Sequence, residues 1–430
     1  MNAGPTNKLL VPLLVLLLVA VLMSALTNLV KLVESTRPPL LYVKDFNVEY
    51  VMARAVLNGE SPYKPLPELA HFADGYTAQY LQHPSPHPPP VIFVGLPFTR
   101  FALGRAVFIW FLMELACVIA SSALLLKALA GRVPALALVV LFFVWIAWHP
   151  FEREMFWGQL MIVTLTLISG AWLALRSGRD MLGGWLLGTA LALKLFGWPI
   201  VLFLIIMRKW RAVFGAALCF AFLNLAAALA IGFRDVVAYY TLVGPAVSKL
   251  YRATAGNFSL WTIGPRAFDA TAGDWYTPLA NLPSIALLVS LITAGVVLVL
   301  VLKATIHRHS FDTAFCALAS ISIVLNPITW SHYLVLTAPA LCLVSWRMRQ
   351  GRFPRRSLIP AAAVLILALL VEYTLPAVAS LTYHAGAQLV PFWIGVIAYL
   401  PLAFVLLLTY VTLDSERWVH PQQRSTSVVN

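Results

Sequence analysis

Asp45 stands in the segment Tyr42-Val43-Lys44-Asp45-Phe46-Asn47-Val48-Glu49-Tyr50, just after the first long apolar run, and Gly59-Glu60-Ser61-Pro62-Tyr63 follows shortly. A carboxylate held at a membrane surface beside an apolar bundle is suited to take a proton from a hydroxyl arriving there. The same residue also suits a helix N-cap, because Asp accepts from the free N–H groups of a first turn. Four further clusters carry polar groups in an otherwise apolar chain. They are Trp157-Gly158-Gln159, Lys194 with Phe196-Gly197-Trp198-Pro199, Gly256-Asn257-Phe258-Ser259-Leu260, and Asn326-Pro327-Ile328-Thr329-Trp330-Ser331-His332. Each has a plain structural reading beside a chemical one. Lys194 could snorkel to the interface, His332 beside Trp330 could belong to an interfacial aromatic belt, and Gln159 and Asn257 could be structural hydrogen bonders.

The elements that position these groups are set by composition. The chain has 430 residues, 61% of them hydrophobic and 11% charged, and its mean hydropathy is +0.84. Soluble domains carry roughly 25% charged residues, so the sequence reads as an all-α polytopic membrane protein. The first apolar run, Leu9 to Val30, is longer than a signal-peptide core and reads as a retained helix. The net charge of +13 does not indicate a nucleic-acid partner, because the basic residues sit in short connections between apolar runs, which is a topology signal. The four cysteines lie inside apolar runs without metal-like spacing, so neither a disulfide framework nor a metal site is expected.

Hydropathy places about twelve spans, near 9–30, 104–129, 133–149, 159–175, 181–195, 198–207, 212–233, 281–302, 311–325, 333–346, 358–375 and 391–412. With the N-terminus inside, the basic connections fall in the cytoplasm, among them Arg208-Lys209-Trp210-Arg211 and the cluster beginning at Arg347. The outer side collects a loop at 31–103, a second large loop at 234–280 and most of the carboxylates; a cytoplasmic tail follows at 413–430. Pro199 after Phe196-Gly197-Trp198 predicts two short helices meeting at a break that bears Lys194. In the first outer loop, Phe46, Tyr50, Ala53 and Leu57 recur at helical spacing and predict an interfacial helix lying apolar side down, ended by Asn58-Gly59. Pro84-Ser85-Pro86-His87-Pro88-Pro89-Pro90 predicts a stiff extended segment leading into a second interfacial helix.

Taken together, and in this order, the clusters resemble glycosyltransferase family 87, integral-membrane enzymes of the GT-C superfamily. The matching pieces are Asp45-Phe46 with Tyr50 and Ala53, Leu57-Asn58-Gly59-Glu60-Ser61-Pro62-Tyr63, His87-Pro88-Pro89-Pro90, Gly158-Gln159, Lys194, Gly256-Asn257-Phe258-Ser259 and Pro327 through His332. The similarity spans about residues 40–345. Leu195 after Lys194 and Tyr333 after His332 depart from the family's usual Pro and His.

The resemblance implies a GT-C-type bundle and a transferase that takes a hexose, best attested as mannose, from a polyprenyl-phosphate donor. It would pass the sugar to a lipid or glycan acceptor by one inverting displacement at the outer face of a bacterial plasma membrane. Asp45 would be the general base. Lys194, His332 and Arg252, with Arg153 behind them, would meet the donor phosphate. Tyr63, Trp157 and Trp330 would stack on sugar, and Glu49, Gln159 and Asn257 would contact substrate. The leaving group is already a phosphate, so neither a metal nor another cofactor is expected. A flippase, or a ligase or polymerase of lipid-linked polysaccharide, is the rival reading. The first should show internal repeats and mid-span charges, the second more arginines in the outer loops.

Overall fold

The computed structural model describes residues 6–78, 81–272, 276–308, 310–351, 353–384 and 389–416. Most of the expected tail, from 417 on, lies outside that set. The protein is an all-α polytopic membrane protein. Many large apolar side chains are exposed, with Leu136, Leu229 and Ile359 exposing 77%, 77% and 81% of their surface. That is the arrangement expected where hydrocarbon rather than water is the solvent.

Among the described residues six helices are long and apolar enough to cross a membrane. A seventh crossing exists if Ala135–Ala147 and His149–Trp157, bent by 72°, count as one broken span. The twelve runs seen by hydropathy therefore include shorter pieces. A 16-residue helix such as Met161–Arg176 reaches only about 24 Å at 1.5 Å per residue, against roughly 30 Å of hydrocarbon. Apolar runs reveal burial in lipid or protein alike, and only helix length separates the two.

The break after Lys194 is present. Asp180–Lys194 ends at Leu195 with φ of 53°, Gly197 follows at 89°, and Trp198–Ile206 begins with Pro199 in its first turn. Lys209 Nζ lies 3.6 Å from Asp180 Oδ2, so the short helix returns the chain to the level it left. Asp180–Lys194 is clamped on Trp210–Ile231 by small residues. A Cβ on Gly184 would sit 2.1 Å from the Ala212 carbonyl oxygen, and one on Gly188 2.4 Å from that of Ala216. This Gly-xxx-Gly against Ala-xxx-Ala seam lets the two backbones touch, and it fixes the height at which Lys194 emerges.

The Phe46–Leu57 helix forms and stops before Asn58 and Gly59, the latter at φ of 73°. It does not lie on lipid by one face. Nine of its twelve residues are buried, Leu57 being the exposed exception at 62%. Phe46 stacks on Trp110 with ring centroids 4.7 Å apart, and Phe98 meets Phe46 edge-on at 5.1 Å. The polar loop thus builds its own small core around this helix, a tertiary contact that helical periodicity cannot reveal. The second interfacial helix is instead a chain of short turns, Pro89–Val91, Ile92–Gly95 and Leu96–Arg100. Pro90 and Pro97 lack the N–H groups that a continuous helix would need there.

Candidate functional site

Asp45 occupies the N-cap position of the Phe46–Leu57 helix, yet its carboxylate makes no capping hydrogen bond. Its backbone N–H donates to the Trp157 carbonyl at 2.7 Å. The preceding Lys44 donates from Nζ to the Phe156 carbonyl at 2.6 Å and to Ser35 Oγ at 3.0 Å. The His149–Trp157 helix and Ser35 therefore hold this backbone in place, while the Asp45 side chain is left for something other than capping. Gln159 Nε2 donates to Asp45 Oδ2. Gln159 Oε1 accepts from Lys194 Nζ at 2.7 Å, and Lys194 Nζ lies 3.2 Å from His87 Nε2. Behind that, His87 Nδ1 is 2.8 Å from Glu49 Oε1, with both side chains nearly inaccessible. Burial pushes the Asp45 carboxyl above its ordinary range, while the Gln159 hydrogen bond pulls it back. Burial likewise brings the Lys44 ammonium down to about 8.

Asp45, Trp157, Gln159, Lys194, Trp330 and His332 all line one cavity of about 1050 Å³. Its wall continues past Arg153 and Phe156 to a less polar arm, where Val371, Pro376, Ala379, Ala398 and Pro401 outnumber Glu372 and Thr374. His332 Nε2 faces Glu154 Oε2 at 4.0 Å. The other oxygen of Glu154 accepts from the Met161 N–H, the first of its helix, a favourable place for a carboxylate. Burial, followed by the nearby Lys194 charge, holds the His332 imidazole well below its ordinary value. It is therefore neutral at physiological pH and can offer phosphate a hydrogen bond but no positive charge.

Four residues expected at substrate stand off the cavity wall. Glu49 is behind His87. Tyr63 donates its hydroxyl proton to the His87 carbonyl at 2.9 Å and so holds the proline-rich segment in place. Arg252 is paired with Asp269 at 2.8 Å. Asn257 is fully used within the protein. Its Nδ2 donates to the Tyr251 and Pro327 carbonyls at 3.0 and 2.9 Å, and its Oδ1 accepts from the N–H groups of Ser259 and Thr329 at 3.1 and 3.0 Å. That clamp sets the rings of Tyr251 and Trp330 5.7 Å apart, edge to face, on the cavity wall. Among the described residues no three His, Cys, Asp or Glu side chains are placed to hold a metal ion.

Sequence reasoning gave no role to His87, Lys44 or Glu154. His87 lay inside a proline run read for its stiffness and as a family-like segment, and its ring partners come from other segments. The arrangement as a whole can abstract a proton at Asp45 and stabilise an anion at Lys194, about one amide apart. A family model for glycosyltransferase family 87 matches residues 86–327. The chain is also similar to the polyprenol-phosphate-mannose-dependent alpha-(1-2)-phosphatidylinositol mannoside mannosyltransferase of Mycobacterium tuberculosis, 25% identical over 331 residues that cover 72% of each chain.

Proposed function

Because this chain belongs to glycosyltransferase family 87, we propose that it transfers mannose from a polyprenyl-phosphate donor to a hydroxyl of a lipid or glycan acceptor. The transfer is a single inverting displacement on the extracytoplasmic face. The donor class is supported by the mycobacterial relative, whose name states that dependence. That name also makes a glycosylated phosphatidylinositol the first acceptor to try. None of the described lysines and arginines of the basic connections lines the cavity, and Arg176 is paired to Asp312 and Arg356 to Asp414. This charge asymmetry supports an outward-facing site.

The observation that carries the reading is Asp45, which stands at a cap position without capping and on a cavity wall shared with Lys194 and His332. The acceptor hydroxyl gives its proton to Asp45 as its oxygen attacks the anomeric carbon, opposite the departing phosphate. Lys194 neutralises the charge that develops on that phosphate and His332 offers it a neutral donor, both placed before the reaction begins. General-base assistance of this kind contributes about 10²–10⁴-fold. Trp157 and Trp330 supply aromatic faces for sugar, and the less polar arm takes the lipid end of a substrate.

Proteoliposomes holding the purified protein, radiolabelled polyprenyl-phosphate mannose and a phosphatidylinositol mannoside test it. A new labelled glycolipid with the anomeric configuration inverted relative to the donor is the expected product. Label that crosses the bilayer still bound to polyprenyl phosphate would mark a flippase instead.

A further inference from the structure

Glu49 stands off the cavity wall and His87 forms part of it, beside the group that would meet the donor phosphate. An ammonium has three donors. Lys194 commits one to Gln159 Oε1 at 2.7 Å and faces His87 Nε2 at 3.2 Å with another, while the residue itself lines the cavity. For His87 Nε2 to accept, the ring proton must be on Nδ1, the atom 2.8 Å from Glu49 Oε1. A carboxylate at that spot favours this tautomer. Gln159 is fixed in the same way. Its oxygen points to a cation and its amide nitrogen to Asp45, so the contacts run outward from Lys194, through Gln159 to Asp45 on one side and to His87, with Glu49 behind it, on the other. Glu49 lies four residues beyond Asp45 on the same helix, so one rigid element carries both ends of the chain.

We propose that Glu49 and His87 are positioning residues that keep Lys194 charged and turned to the phosphate of a polyprenyl-phosphate donor. The inference rests on the function proposed above. The Glu49 carboxylate, behind the His87 ring, supplies negative charge near Lys194. The other charged and titratable groups facing Lys194 are Asp45 and Glu154 and the neutral His332; the Tyr333 ring lies 5.4 Å from Nζ. Removing the Glu49 charge leaves these in place, so Lys194 would lose its proton at a lower pH while the cavity keeps its shape.

The test uses the full-length protein in detergent, a polyprenyl monophosphate as probe, and its Kd measured across pH 6–10. The wild type should bind, with affinity falling on the alkaline side as Lys194 deprotonates. Glu49→Gln keeps the shape and removes the charge, and its alkaline limb should move down by about one pH unit. Glu49→Asp, which restores the charge, should move the limb back toward wild type. Titration of the phosphate itself is common to all the proteins and cancels. In Lys194→Met any alkaline limb that remains, set by Lys44 on the same cavity wall, should no longer move with Glu49→Gln.

His87→Gln keeps a donor toward Glu49 and an acceptor toward Lys194 and should bind as wild type does, whereas His87→Leu should bind as Glu49→Gln does. This pair carries the test if Glu49→Gln does not fold. Wild-type binding with an unshifted limb in Glu49→Gln, or with wild-type behaviour in His87→Leu, overturns this inference alone. No binding to wild type at any pH overturns the donor reading and this inference with it.

Discussion

At the scale of single residues, Asp45 shows what a sequence can and cannot say. Its type and place already admitted a base or a cap, and only geometry separates these. The cap position is occupied, but the carboxylate turns to Gln159. Because burial raises its pKa, the ionised fraction, and with it the rate, should fall on acidification at a pH above the ordinary carboxylate range. Gln159→Leu removes the hydrogen bond that opposes that shift. The acid limb of kcat/KM, which reports the free enzyme, should then move to higher pH by about one unit. A pH–rate profile of the two proteins checks it. Lys194 and His332 were legible as polar groups at a break and a turn. The neutrality of His332 was not, since it follows from burial and from a lysine 138 positions away in sequence.

At the scale of elements, the break after Lys194 was readable from Pro199, because proline's geometry is local. The seam that sets its height was also on the page as Gly184 and Gly188, a spacing whose meaning depends on a partner helix that sequence does not name. Gly184→Val would drive its side chain into the Ala212 carbonyl. It should lower the melting temperature and reduce transfer, with Lys194 displaced from Gln159. Asn257 was expected at substrate and is instead the pin between two loops. Asn257→Ala leaves buried N–H and carbonyl groups unpaired. At about 1–3 kcal/mol for each such group, it should destabilise the protein by several kcal/mol, as read by chemical or thermal unfolding. Donor Kd should change less than stability does. The burial of the Phe46–Leu57 helix escaped the sequence because periodicity marks an apolar face without saying whether lipid or protein covers it.

For the whole molecule, apolar composition established a helical membrane protein, and charge asymmetry suggested its orientation. The number of crossings was not legible, because short apolar helices buried in protein look the same as spans. If the cavity faces outward, Leu57→Cys should react with an impermeant maleimide in intact cells, whereas Gln350→Cys should react only after the membrane is opened. Leu57 is exposed at the far end of the loop helix that begins at Asp45, and Gln350 is exposed in a basic connection expected in the cytoplasm. In the proposed mechanism the activity of the whole assembly depends on one carboxylate. The most direct measurement is therefore turnover of Asp45→Asn in the reconstituted transfer assay, alongside its affinity for polyprenyl monophosphate. Turnover should fall by at least about 10²-fold with donor affinity within a few-fold of wild type, since the lysine that meets the phosphate is untouched. Wild-type turnover in that protein would remove Asp45 from the reaction and contradict the mechanism at its centre.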